Sequence, residues 1–99
     1  MTENTLRVIA SIRARPDKVN ELHSLLSGLV EPTCSEKGCI CYELLQNQKD
    51  PTDFVFVEEW EDDAALDAHL SSEHLQAALC QFPELVAEDP DIRRYRKVK

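Results

Sequence analysis

Residues 54–74 read FVFVEEWEDDAALDAHLSSEH, and this stretch decides the fold. Phe54–Trp60 is apolar on both parities until its acidic end, as expected of a strand with two covered faces. Phe54, Phe56, Glu58 and Trp60 share one side; Val55, Val57 and Glu59 share the other. One of Glu58 and Glu59 must therefore face an apolar layer, where loss of solvent raises a carboxyl pKa. Alternation alone leaves both residues open. Asp62 or Asp63 then supplies an N-cap for a short helix, and Ser71 or Ser72 supplies another for a second helix to about Phe82. Leu75, Ala78, Leu79 and Phe82 form the second helix's apolar stripe, and Pro83 ends it.

Upstream, Leu6–Ala14 alternates strictly, with Leu6, Val8, Ala10, Ile12 and Ala14 on one face. Residues 17–30 carry Val19, Leu22, Leu25, Leu26, Leu29 and Val30 at helical spacing, and Pro32 and Gly38 follow. Cys39–Gln48 is a second strand, joined to the third through the polar turn KDPTD. Ile92–Val98 is a weaker last strand. The order is β-α-β-β-α-β with the second helix split. This is an α+β, ferredoxin-like single domain over residues 1–99, with helices on one face of an antiparallel sheet. The second and third strands are apolar on both faces, which predicts a homodimer made through the open sheet face.

Charge narrows the function. The formal net charge is −8, and residues 1–92 hold six basic against nineteen acidic residues. That argues against nucleic acid as a partner. The basic end, RRYRKVK (Arg93–Lys99), is expected to pair with the acidic body or protect a sheet edge. Two glycines preclude a Gly-rich phosphate loop. No signal peptide or membrane span is evident, which predicts a cytoplasmic protein with no membrane partner. The four cysteines are expected to be reduced and buried. Cys39 and Cys41 should share a strand face roughly 7 Å apart, beyond easy bridging.

His69 follows Leu66 on the short helix, and His74 follows His69 at five residues. In one continuous helix that spacing separates the rings by about 140°. It does not match the i, i+4 pair of a helical metal site; the LSSE break could bring the rings closer, but no zinc motif is present, so no metal is expected.

Three segments together resemble a known family: VIASIRARPDK (Val8–Lys18), EKGCICYEL (Glu36–Leu44) and VEEWEDDAALDAHLSSEH (Val57–His74). They carry R-x-R-P, E-x-G-C-x-x-Y and E-x-W…L-x-x-H-x-x-x-x-H, as in the antibiotic biosynthesis monooxygenase domain and especially the small bacterial quinol monooxygenases. The resemblance implies a dimeric α+β barrel and a pocket between helices and sheet. It implies oxygenation of a quinol-like or polycyclic aromatic by O2 without flavin, haem or metal. Carried onto this chain, His69 is the base or proton shuttle, with Glu58 and Glu59 as acidic partners. Trp60, Tyr42, His74 and Arg13 are the substrate-binding candidates. The haem-degrading branch places a Trp at His69 and a ligating His at Leu79, so haem is not expected. Two alternatives stay open: a non-catalytic small-ligand-binding barrel, and an isomerase of a phosphorylated signalling molecule with a more cationic pocket.

Overall fold

The computed structural model describes residues 5–99. Strand β1 (Leu6–Arg13) is followed by helices α1 (Val19–Ser27) and α2 (Val30–Cys34), then strands β2 (Cys39–Gln46) and β3 (Asp53–Trp60). Helices α3 (Asp63–Leu70) and α4 (Glu73–Leu85) precede strand β4 (Asp91–Arg96). The sheet is antiparallel with order β2-β3-β1-β4, the ferredoxin-like arrangement. No described helix is long and apolar enough to cross a membrane.

The alternation of β1 becomes the core directly. Leu6, Val8, Ala10 and Ile12 are buried, and they meet Trp60, Glu58, Phe56 and Phe54 of β3 in register. Leu22 and Leu26 of α1 and Leu29 at the start of α2 close the core on one side, and Leu66, Leu75, Ala78, Phe82 and Leu85 close it from α3 and α4. All four sequence-derived strands are present. The N-caps resolve to Asp62, which accepts from Ala65 N at 2.8 Å, and Ser72, which accepts from Leu75 N at 3.4 Å.

Four local expectations are corrected. The first helix is also split: α1 stops at Ser27, and α2 carries Pro32. Pro32 lies in the first turn of α2, where its missing N–H has no helical partner to lose. Helix α4 runs through Pro83 to Leu85 rather than ending at Phe82. At this end of the helix Arg15 donates from Nη2 to Pro83 O at 2.7 Å and from Nε to Val86 O at 3.1 Å. A cation thus reaches from another element to carbonyls at a helix end that has no basic residue of its own. Leu79 is exposed rather than part of the buried stripe.

The fourth correction concerns the cysteines. The β2–β3 register shifts between Cys39 and Cys41, so Cys39 lies opposite Trp60 and Cys41 opposite Glu59. A bulge adds one residue and reverses the side-chain parity beyond it. The two thiols therefore face opposite sides of the sheet. All four cysteines are free; Cys34 and Cys80 are exposed, and Cys39 and Cys41 are half-buried rather than buried.

Gly38 joins α2 to β2 with φ at +88°, a conformation that favours glycine. A Cβ there would lie 2.5 Å from Ala65 Cβ. The bare backbone lets the loop carrying Glu36 press against α3. On the opposite flank, Arg94 of β4 reaches Asp63 at 2.7 Å and Asp67 at 2.8 Å, so part of the basic end does pair with the acidic body. The other sheet face presents Ile9, Cys41, Leu45, Val55 and Val57, and no element of the described chain packs over it.

Candidate active site

A cavity of about 60 Å³ lies between the sheet and α3–α4. Its lining is apolar except for Tyr42, Glu58 and His69. Exposed Leu79 and Ile92 stand among the lining residues and connect it to the surface. Such a volume holds a few waters and is too small for an aromatic ring unless side chains at this rim move aside.

His69 is the most constrained of the three polar groups. It is 2% exposed. Its ring stacks at 33° on Trp60 with centroids 4.9 Å apart, and meets Tyr42 edge-on at 5.5 Å. Nδ1 donates to Glu36 Oε2 at 2.8 Å. His74 Nε2 donates to the same oxygen at 2.7 Å. The five-residue spacing does not keep the rings apart, because α3 ends at Leu70 and α4 begins only at Glu73. The chain turns between the helices and returns His74 to the side of His69, with ring centroids 6.0 Å apart. With Nδ1 committed to Glu36, the neutral His69 ring keeps its lone pair on Nε2.

Glu58 settles the ambiguity of the acidic pair. It lies on the core face, 5% exposed, between Val8 and Tyr42 in the sheet register. Trp60 Nε1 donates to its Oε1 at 2.8 Å. Burial pushes its pKa up to about 7; the indole hydrogen bond opposes the rise and the charge of Glu36 adds to it. Tyr42 stacks on Phe56 at 4.7 Å. Burial raises its phenol pKa well above the ordinary value, so it stays protonated.

The raised Glu58 pKa carries a stability consequence. Between about pH 4.5 and 7 the folded chain holds a proton that the unfolded chain has released. Stability therefore falls as pH rises through that window, by about 3 kcal/mol at most. Glu58→Gln keeps an acceptor for Trp60 and removes the titration. Urea denaturation should show E58Q gaining on the wild type from pH 5 to about 7 and holding that gain above it. A difference that does not change with pH would contradict this account.

The remaining candidates fall elsewhere. Trp60 is fully buried behind His69 and Glu58 and does not line the cavity. His74 is also one layer back, on Glu36. Glu59 projects to the open sheet face, where it accepts from Thr5 Oγ1 at 2.8 Å and pairs with Arg7 at 3.5 Å. The paired β1 and β3 faces are thus the reason Glu59 cannot reach the imidazole. Arg13 also leaves the site: it donates from Nη1 to Asp50 Oδ2 at 2.8 Å and to Thr52 Oγ1 at 2.9 Å, bracing the β2–β3 turn. Glu36 is the polar residue that sequence reasoning did not single out. Its only local signal is its place two residues before a glycine, in the E-x-G-C turn.

Comparison with known proteins agrees with this architecture. A family model described as antibiotic biosynthesis monooxygenase matches residues 5–79. The uncharacterized protein sll1783 of Synechocystis sp. is 31% identical over 94 residues, covering 95% of this chain, which spans 64% of that protein's length. The crystal structure of PA3566 from Pseudomonas aeruginosa has a TM-score of 0.93 at 31% identity, covering 100% of this chain and 99% of the other. A crystal structure of an antibiotic biosynthesis monooxygenase has a TM-score of 0.89 at 36% identity, covering 95% and 99%. The chain belongs to the antibiotic biosynthesis monooxygenase family.

Proposed function

We propose that this protein is a cofactor-independent monooxygenase that uses O2 to oxidise a quinol-like aromatic. The observation that carries the reading is His69: a buried imidazole, fixed at Nδ1 by a carboxylate, at the wall of an otherwise apolar cavity. O2 reacts slowly with closed-shell molecules. A hydroquinone that has lost a proton is electron-rich enough to pass one electron to O2. His69 Nε2 takes the phenolic proton, acting as a general base. Glu36 holds the ring in the right tautomer and steadies its positive charge. The apolar walls keep water from the radical pair. The superoxide and substrate radicals combine at a ring carbon, and the hydroperoxide loses water to give a hydroxyquinone. Hydroquinone and O2 thereby yield hydroxyquinone and water, so the substrate supplies all four electrons and no reductant is required. Glu58, poised near neutral pH, is placed to hydrogen-bond a substrate oxygen or return a proton.

The isomerase alternative fits the lining less well, because a phosphorylated substrate wants cations and the cavity has no Lys or Arg. A purely ligand-binding role would leave the Glu36–His69 pair without a task. Incubation with a hydroquinone under ¹⁸O2 tests the reading. One labelled oxygen atom in the product is expected; unlabelled quinone alone would argue for an oxidase instead.

The uncovered sheet face is the proposed dimer surface. Sedimentation velocity at micromolar concentration should give a dimer, and Val57→Lys, a charge at the centre of that face, should shift it to monomer. A wild-type monomer would remove the proposed interface.

A further inference from the structure

We propose that Glu36, His69 and His74 form a binding site for a divalent transition-metal ion, and that occupancy switches off the His69 base. His69 Nδ1, His74 Nε2 and a Glu36 oxygen all lie within 4.8 Å of one another. Two imidazoles and one carboxylate suit Zn²⁺, Co²⁺, Ni²⁺ or Fe²⁺ rather than Mg²⁺ or Ca²⁺. Metal–ligand bonds of this class place tetrahedral donor atoms roughly 3.3 Å apart. The present N···O separations are 2.7 and 2.8 Å, while the donor set spans up to 4.8 Å, so the carboxylate oxygen must draw back by about half an ångström and the partly exposed His74 ring must close toward His69. Glu36 lies in the loop between α2 and β2, where such a movement breaks no helix or strand.

Access is graded in the right direction. The His74 and Glu36 side chains are 28% and 17% exposed, whereas the His69 side chain is 3% exposed. An ion can therefore meet His74 and Glu36 first and His69 last. Three protein donors leave a further position for water or for Thr33 Oγ1, which lies 3.3 Å from His74 Nε2.

The functional consequence rests on the role proposed above for His69. Without an ion, the neutral ring carries its proton on Nδ1 and its lone pair on Nε2. An ion on Nδ1 takes that lone-pair position, and the ring proton moves to Nε2. The nitrogen left for a substrate proton becomes a donor. His74 makes the matching shift, from Nε2–H to Nδ1–H. No proton need leave either ring, and the base is lost.

Chelator-treated protein titrated with ZnCl2 by calorimetry, and with CoCl2 by visible absorption, tests the site. One ion per chain is expected, with cobalt bands free of the intense near-ultraviolet absorption of a bound thiolate. His74→Ala and Glu36→Gln should each weaken zinc binding by roughly 100-fold or more. No stoichiometric binding, undiminished binding in both variants, or thiolate absorption from Cys34 or Cys39 would each overturn the site. Oxygen uptake tests the switch: zinc should abolish turnover of a hydroquinone, and full turnover by the zinc-loaded protein would overturn it. If the metal-free protein shows no oxidation at all, the proposed monooxygenase function and the switch fail, while the calorimetry still decides the site.

Discussion

Replacing His69 with alanine is expected to lower kcat/KM for hydroquinone oxidation by roughly 100- to 10,000-fold, the range that a general base contributes. The size of the effect follows from the lining. Of the three polar groups on the cavity wall, Tyr42 is held protonated by burial and Glu58 is already engaged by Trp60 Nε1. Neither replaces an imidazole whose other nitrogen is fixed by a carboxylate. The substitution also leaves a hole between Trp60 and Tyr42, so thermal melting of the variant must accompany the kinetics. Free imidazole added to His69→Ala should recover part of the rate by entering that hole. His69→Gln, which fills more of the space, should be as slow without the rescue. A folded alanine variant that turns over like the wild type would remove His69 from the mechanism.

Trp60→Ala is expected to be the most damaging substitution for stability. Trp60 is fully buried, and its ring is a wall for His69 and an edge partner of Tyr42 at 6.4 Å. Truncating a buried Trp costs about 3–5 kcal/mol. Glu58 also loses the donor at 2.8 Å that offsets part of its burial, which adds about 1–3 kcal/mol. Against a typical total of about 5–15 kcal/mol, this removes much of the margin. For a domain of this size the melting temperature should fall by roughly 15 °C or more. Trp60→Phe separates the two causes. It retains most of the packing but removes the N–H, so Glu58 should titrate above its present value of about 7. A loss below about 1 kcal/mol for Trp60→Ala, read by urea denaturation, would contradict this account of the core.

Much of this architecture was legible because it is local and periodic. The alternation of Leu6, Val8, Ala10 and Ile12 translates directly into buried positions. The paired caps Asp62 and Ser72 mark where two helices begin. The acidic pair was undecided because both parities of β3 are apolar. Volume breaks the tie: Phe54, Phe56 and Trp60 fill the helix side, so Glu58 goes with them. What escaped was non-local or without a sequence signature. The bulge at Cys39–Cys41 has no marker residue, yet it separates the two thiols. Arg13 and Arg15 look equivalent in R-x-R-P, but one braces a turn and the other caps α4. Glu36 is 33 residues from His69 and 38 from His74. The spacing argument against joining those rings holds only for one continuous helix; the break that the Ser71–Ser72 cap signals is what returns His74 to His69, and the sequence does not say how far.

The central claim is that the chain's own residues, without flavin, haem or metal, activate a quinol toward O2. Oxygen uptake by chelator-treated, flavin-free protein across a panel of hydroquinones tests it most directly, with the uncatalysed autoxidation rate of each as the reference. Uptake well above autoxidation for at least one hydroquinone, falling close to the autoxidation rate in His69→Ala, is the predicted result. Uptake equal to autoxidation for every member of the panel would contradict it.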